Sequence, residues 1–452
     1  VGRFVRVVPK ASSAFAATHP VQCTNMNKIK VKEMGEEKGL GVVAGTDFVA
    51  GDLIFQEVPL LCHELFRDSH PETAGKDEVW CCSICLKSLQ GPLQSLYGYV
   101  DTNTLAAVTS LPGQDLYCPV PDAVYCVRGC SASYCSVACR DRDNELGHRF
   151  LCFPESPEDG NVEDPNAFMH PDHPITMLRA ICELLSNHLA LVFLRMVAAA
   201  LARAQEEKCT LPDAWQRLGY TGFKSHEEEV NDYVISMYTR MAELVSEIVG
   251  THCDLATVPG ADSMLTPEFL KYTVDTLNVN QQLVQPVSAF DYYWKTVPEE
   301  VEGSPEMAVL NDVFTQLQAN HIEKVRDALG SGLYTLHHCL NHSCEPNAFV
   351  TFTERDSTLS VFALKAIPEG EEICFDYVGF PDEEEEATQG EQASDSAEED
   401  CHEGSGHSEF CVTKRKSQYS NSLADRQAAL LNKFYFACRC PRCTRELAAQ
   451  SA

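Results

Sequence analysis

Asn341-His342-Ser343-Cys344, with Asn347 shortly after it, is the stretch on which the reading of this chain turns. A polar tetrapeptide arises easily by chance, so its weight comes from the residues downstream of it. A strand-like segment closes on Tyr377, and beyond it Cys438, Cys440 and Cys443 form a C-x-C-x2-C cluster. Three closely spaced thiolates call for a fourth ligand, because structural zinc is tetrahedral and leaves no open position. Cys344 is the best candidate, and in that role it would tie the C-terminal tail against the strand segment. Cys339 and Cys374 are rivals that lack the motif around them.

A second cysteine series lies far upstream. It reads Cys82-x2-Cys85, then Cys126-x3-Cys130-x4-Cys135-x3-Cys139-x8-His148-x3-Cys152. Eight such ligands make two four-coordinate sites. Interleaving is expected, with Cys82, Cys85, Cys135 and Cys139 on one ion and Cys126, Cys130, His148 and Cys152 on the other. The two-residue gap to Cys85 favours Cys82 over its neighbour Cys81. Between Cys81 and Cys152 the apolar pattern is weak, so metal rather than a hydrophobic core is expected to organise this module.

The chain of 452 residues has 44% apolar residues, room for two or three domains, and 22 cysteines. The leading residues show no signal-peptide pattern, and the C-x2-C, C-x3-C and C-x-C spacings suit metal thiolates in a reducing compartment better than disulfides. Residues 1 to 32 carry six Lys or Arg and no acid, faintly like a transit peptide; a plain disordered leader over 1–23 is the favoured reading. The longest uncharged apolar stretch, Leu184 to Leu194, is too short to span a bilayer and fits a buried helix. A formal charge of −31 excludes simple electrostatic adhesion to nucleic acid and suits a basic protein partner. Much of that charge lies between Lys365 and Lys414, which enclose Glu383 to Glu386 and Glu398-Glu399-Asp400 and no Lys or Arg. A solvated loop is favoured there over a docking surface for a basic tail. Within it, Cys401-His402, His407 and Cys411 are weak candidates for a further metal site, with disorder preferred.

Secondary-structure signals divide the chain. Val42 to Leu61 alternates like strands, with bends at Gly45-Thr46-Asp47 and Ala50-Gly51-Asp52. Ile175 to Ala204 reads as one apolar helix; Ser225 with Glu228 forms a capping box opening an amphipathic helix that ends at Gly250. Strands are expected over Ala348 to Phe352, Leu359 to Ile367 and Glu372 to Val378, with a turn at Pro368-Glu369-Gly370. A last helix runs from Ser422 to Phe434.

These motifs together resemble the SET and MYND domain family of protein-lysine methyltransferases. The resemblance rests on Gly39-x-Gly41, the ligand series from Cys82 to Cys152, Asn341 to Cys344, the segment Glu371 to Tyr377, and the last cysteine cluster. Two departures from the usual pattern, the forty residues between Cys85 and Cys126 and the x3 gap from Cys126 to Cys130, match the branch of the fifth animal member and its plant trithorax-related relative. The acidic insertion after Gly379 has no counterpart in that pattern.

The implied fold is α+β: a split SET domain of short strands with an inserted MYND-type zinc module, a helical insertion and a zinc-bound post-SET tail. Boundaries are expected at 24–79 and 333–380 for the two SET parts, 80–152 for the zinc module, 170–332 for the helical insertion, 381–418 for the acidic insertion and 419–446 for the tail. The implied chemistry is methyl transfer from S-adenosylmethionine to a neutral lysine amine, with three zinc ions per chain. In that reading Tyr377 sits at the transfer point, and Phe434, Tyr435 and Phe436 line the lysine channel, with Phe434 and Phe436 facing together. Lys38, Gly39, Leu40, Gly41, Asn278, Asn341, His342 and Phe436 would contact the cofactor, Asn341 by its side chain and His342 by its backbone. The expected substrate is a histone H3 or H4 tail. Alternatives are a non-histone protein such as a ribosomal one, or a non-catalytic adaptor binding proline-rich partners through the MYND module. A monomer working in nucleus and cytoplasm, without nucleic-acid or membrane binding, completes the expectation.

Overall fold

The computed structural model describes residues 23–35, 38–65, 81–108, 111–153, 171–218, 232–297, 307–320, 322, 324–378 and 422–450. Its strands are short: β1 (Ile29–Glu33), β2 (Leu40–Ala44), β3 (Leu53–Glu57), β4 (Leu61–Glu64), β5 (Val124–Tyr125), β6 (Ser133–Tyr134), β7 (Gln282–Val284), β8 (Gly330–Leu333), β9 (Asn341–His342), β10 (Ala348–Thr351), β11 (Leu359–Ala363) and β12 (Glu372–Phe375). They form sheets in the orders β1-β2-β12-β9, β10-β11-β3, β4-β8-β7 and β5-β6. Each of the first three joins strands from before the cysteine-rich module to strands from well after it. The strand core is thus split in sequence and continuous in space.

The first sheet positions the site. β2 and β12 run antiparallel, with Ile373 opposite Val42, and β12 and β9 run parallel, with Cys374 opposite Asn341 and Phe375 opposite His342. Val42, Ala44, Ile54, Phe55, Leu336, Leu340, Val361 and Ile373 form one buried cluster beneath it. The turn at Pro368-Glu369-Gly370 is as expected: the Glu371 N–H donates to the Pro368 carbonyl at 3.1 Å, and Gly370 takes a φ of +90° that favours glycine.

The single apolar helix expected over Ile175 to Ala204 is two helices, Pro174–Leu184 and Leu189–Glu207. Ser186 takes left-handed backbone (φ 48°), and Asn187 Oδ1 then accepts from the Leu189 N–H at 2.9 Å. The polar pair Asn187-His188 interrupts the apolar run, and the local turn closed by the Asn187 side chain marks the break. The second helix is buried on nearly every side; truncating Leu201, fully inaccessible, to Ala would cost about 2–5 kcal/mol. The helix ending at Gly250 begins by Asp232, while its proposed capping box at Ser225 and Glu228 lies outside the described residues, as do the acidic insertion and Cys401, His402, His407 and Cys411. No helix among the described residues is long and apolar enough to cross a membrane.

The cysteine-rich stretch departs from expectation in having an apolar core of its own. Leu96, Tyr99, Val100, Leu105, Val108, Leu111 and Cys118, all in the spacer between Cys85 and Cys126, pack on Ala289, Phe290 and Tyr293 of the Ala289–Thr296 helix and on Leu310, Val313 and Leu317 of the Met307–Ala319 helix. The spacer's weak periodicity reflects short turns, and its partners are supplied by helices distant in sequence. Burial on both sides replaces the missing pattern.

Candidate active site and metal sites

Three groups of four ligand atoms come together, each within 4.8 Å of one another: Cys82, Cys85, Cys135 and Cys139; Cys126, Cys130, His148 and Cys152; Cys344, Cys438, Cys440 and Cys443. These are the sets expected from spacing, including the interleaving. Four thiolates about 2.3 Å from a zinc ion would have sulfurs about 3.8 Å apart. The sulfur separations of Cys85 to Cys135, Cys135 to Cys139, Cys126 to Cys152 and Cys344 to Cys443 are 3.6, 3.5, 3.7 and 3.6 Å. The donor sets therefore fit zinc. Cys81 stays out of the first group, and Cys339 out of the third, its thiol resting 3.7 Å from the Thr335 carbonyl. Burial pushes the Cys374 thiol up to about 12, as suits a core residue.

The second group carries a residue that spacing did not reveal. Asp143, on the Val137–Glu145 helix and 2% exposed, faces His148 Nδ1 at 3.2 Å, accepts from the Tyr134 hydroxyl at 2.8 Å and takes an Arg195 N–H at 2.7 Å. Burial opposes ionisation of Asp143, but Arg195, His148 and Tyr134 outweigh it and hold its pKa below the ordinary value. A carboxylate on the far nitrogen of a histidine ligand fixes ring and tautomer. Arg195 belongs to the Leu189–Glu207 helix, so the same carboxylate ties the cysteine module to the helical region.

Around the third group, the tetrapeptide divides its work. Asn341 Nδ2 donates to the Leu40 carbonyl at 3.0 Å and to Glu372 Oε1 at 2.8 Å. Lys38 forms an ion pair with the other Glu372 oxygen. A Cβ on Gly41 would overlap the Met34 side chain and crowd Asn341 Nδ2 and Glu372 Oε1 at 3.1 Å each, so glycine suits the close packing there, whereas Gly39 is favoured by its φ of +71°. Lys38, Gly39, Leu40, Gly41 and Asn341 are therefore brought together. Asn278 is exposed in the last turn of the Pro267–Asn280 helix and, among the described residues, hydrogen-bonds to none of them.

His342 is buried, and burial holds its pKa below the usual imidazole value despite the Asp376 carboxylate 3.6 Å away. Its Nδ1 accepts from the Tyr377 N–H at 3.1 Å, which leaves the proton on Nε2, 3.1 Å from Cys344 Sγ. One neutral imidazole thus bridges the third thiolate group and the Tyr377 backbone. Tyr377 lies just past the end of β12, not within the strand. Its hydroxyl donates to the Leu340 carbonyl at 2.6 Å, and burial raises its pKa, keeping the phenol protonated.

Aromatic rings surround Tyr377: Phe434 and Phe375 at 4.9 Å, His342 at 5.3 Å and Phe436 at 6.4 Å, centroid to centroid. Phe434 and Phe436 do face together, but helix termination rather than strand alternation brings this about. Tyr435 caps the Leu423–Phe434 helix in left-handed backbone (φ 61°), turning the chain so that rings on either side of it reach Tyr377. Tyr435 itself is half-buried.

Two further groups position the site: Glu57, which carries no sequence signal, and Asn347, which follows the tetrapeptide. Glu57, inaccessible on β3, accepts from the Thr335 hydroxyl at 2.9 Å and from the Leu336 and His337 N–H groups at 2.8 Å each, fixing the turn that leads into β9. Burial nevertheless raises its pKa above the ordinary carboxylate value. Asn347 clamps β12, donating to the Glu372 carbonyl at 2.8 Å and accepting from the Cys374 N–H at 2.8 Å.

This split core, with Asn341 and His342 on β9 and Tyr377 just past the neighbouring β12, is matched over residues 39–378 by the SET domain family model, and the chain belongs to that family. Within it, the chain is similar to the protein-lysine N-trimethyltransferase SMYD5 of Danio rerio, 26% identical over 364 residues that cover 78% of this chain and 80% of that one. Its likeness to the Homo sapiens SMYD5 is 23% over 432 residues, covering 92% and 87%. The histone-lysine N-methyltransferase ATXR2 of Arabidopsis thaliana is 23% identical over 299 residues, covering 60% and 59%. The resemblance to the SET and MYND family, and to the branch marked by the long Cys85 to Cys126 spacer, is borne out.

Proposed function

We propose that this protein-lysine methyltransferase uses S-adenosylmethionine to methylate a lysine in a histone H3 or H4 tail. The observation that carries the reading is the enclosure of Tyr377 by Phe434, Phe375 and Phe436, one strand away from the Asn341–Glu372 pair. The cofactor, when bound, supplies a methyl group on a sulfonium sulfur, open to in-line attack. Asn341, with Lys38 to Gly41 and the His342 backbone, would hold it, with Phe436 beside it and Asn278 as an outlying contact.

Phe434, Tyr435 and Phe436 would wall the lysine channel. A free lysine has a pKa of about 10.4, and desolvation between aromatic rings favours the neutral, nucleophilic amine. Tyr377, held by its bond to the Leu340 carbonyl, would orient that amine, with alignment supplying most of the rate. The three ligand groups would hold three zinc ions, the last fixing the tail that carries the channel aromatics.

The charge of −31 supports a basic substrate, and ribosomal proteins share that property with histones. A second role, binding proline-rich proteins through the MYND-type module, draws on Tyr125 and Val127, which are 54% and 73% exposed beside Cys126. We place the protein in nucleus and cytoplasm, as a monomer. Incubation with radiolabelled cofactor and equal amounts of histone octamer and ribosomal protein, read by mass spectrometry, tests the substrate. Label on ribosomal protein alone would overturn the histone assignment, and failure of the zinc-loaded chain to bind cofactor in calorimetry would overturn the enzyme reading.

A further inference from the structure

The Asn341 side chain has two N–H groups and one carbonyl oxygen with which to recognise anything. Both N–H groups are spent within the protein, on the Leu40 carbonyl and on Glu372 Oε1. Only Oδ1 remains to face outward. We propose that Glu372 is a positioning residue that sets the polarity of Asn341, making it a dedicated acceptor for the α-ammonium group of the methyl donor. The inference rests on the cofactor reading above and deepens it.

A carboxamide can turn over at little steric cost, exchanging its oxygen and nitrogen, so something must choose between the two orientations. Glu372 does so together with the Leu40 carbonyl, because a carboxylate oxygen, like a carbonyl oxygen, accepts hydrogen bonds. Were the amide turned, Asn341 Oδ1 would meet both the Leu40 carbonyl oxygen and the Glu372 carboxylate, two acceptors. Ordering of Glu372 itself comes from Lys38, whose ammonium engages Oε2, and from Asn347, which donates to the Glu372 backbone carbonyl at 2.8 Å. Its side chain is 15% exposed and lies against Gly41, where a Cβ would crowd both partners of the bond. Glu372 therefore acts through Asn341 without touching the ligand.

The test exchanges donor and acceptor. Glu372→Ala removes one of the two acceptors that hold the amide, leaving only the Leu40 carbonyl against turning, and should weaken S-adenosylmethionine binding, measured by calorimetry, about tenfold, the worth of a hydrogen bond to a charged group. Binding of methylthioadenosine, which lacks the α-amino acid, should stay within about twofold of wild type. In E372Q/N341D the new carboxamide donates and the new carboxylate accepts, so cofactor affinity should recover relative to N341D alone, where two carboxylates face each other. Equal loss for both ligands in Glu372→Ala would reduce Glu372 to a structural part, and a double variant no better than N341D would refute the polarity argument. Failure of the wild-type chain to bind either ligand would overturn this inference together with the cofactor reading, whereas wild-type binding unchanged in Glu372→Ala would overturn this inference alone.

Discussion

Asp143 is the residue whose removal should do most damage without touching the active site. It is 2% exposed and serves three partners: the Tyr134 hydroxyl, Arg195 and the His148 ring. Asp143→Ala deletes one partner of a buried ion pair and leaves Arg195, 15% exposed, without its counter-charge, a change that typically costs about 3–5 kcal/mol. The Tyr134 hydroxyl, fully buried, loses its acceptor for about 1–2 kcal/mol more, though neighbouring losses do not simply add. A net destabilisation of about 4 kcal/mol is expected. Zinc should also be held about 10- to 100-fold less tightly at the His148 group, because the ring loses the carboxylate that orients it. Urea unfolding in a zinc-buffered solution gives the first quantity, and competition with a chromophoric chelator gives the second. Asp143→Asn, which keeps shape and can still accept from Tyr134, should fall between wild type and Ala. Destabilisation below about 1 kcal/mol in Asp143→Ala, with zinc released at the wild-type rate, would refute the argument.

Three other outcomes are expected. Tyr377→Phe should abolish or severely reduce turnover in a labelled-cofactor assay while far-UV dichroism and cofactor affinity stay near wild type; full activity would remove Tyr377 from the transfer point. Cys440→Ser should lower zinc content by about one ion per chain in metal analysis and increase proteolysis after residue 422; unchanged zinc would refute the third site. Burial, chiefly, raises the Asp291 pKa from 3.8 to about 6, so the native state holds a proton that the unfolded state releases between those values. Wild-type stability should fall as pH rises through that window, and Asp291→Asn should gain about 1–3 kcal/mol at pH 7 relative to pH 3.5; equal wild-type and variant pH profiles in chemical denaturation would contradict this.

What the sequence disclosed were features whose cause is local. Ligand spacing grouped eleven residues as the structure brings them together, because a turn of fixed length presents two thiolates at a fixed separation, and the motif around Cys344 supplied the twelfth. Helix ends were legible where a cap lies beside them, as at Ser422, whose hydroxyl accepts from the Asp425 N–H at 3.2 Å. Tyr377 was legible as a residue but not as a position past its strand. The break at Ser186 was missed because an apolar run predicts burial, not straightness. Glu57, Asp143 and Glu372 were missed for a common reason: each is an acid whose partners lie on other segments, and an isolated carboxylate in sequence reads as surface. The spacer core was hidden for the same reason, with one half beyond Gly91 and the other in helices that begin at Ala289 and Met307.

The place of β12 between β2 and β9 bears on biosynthesis. Val42 and Val43 emerge from the ribosome early, yet the strand that covers their free edge, beginning at Glu372, is among the last parts of the core to be made. Throughout that interval β2 offers an apolar, unpaired edge, the feature that recruits foreign strands, and closing so long a loop is slow. A chain cut short anywhere before Glu372 would keep that edge for good. Nonsense and frameshift products of this protein should therefore be aggregation-prone polypeptides, dependent on chaperones or rapidly degraded, and not partially active enzymes.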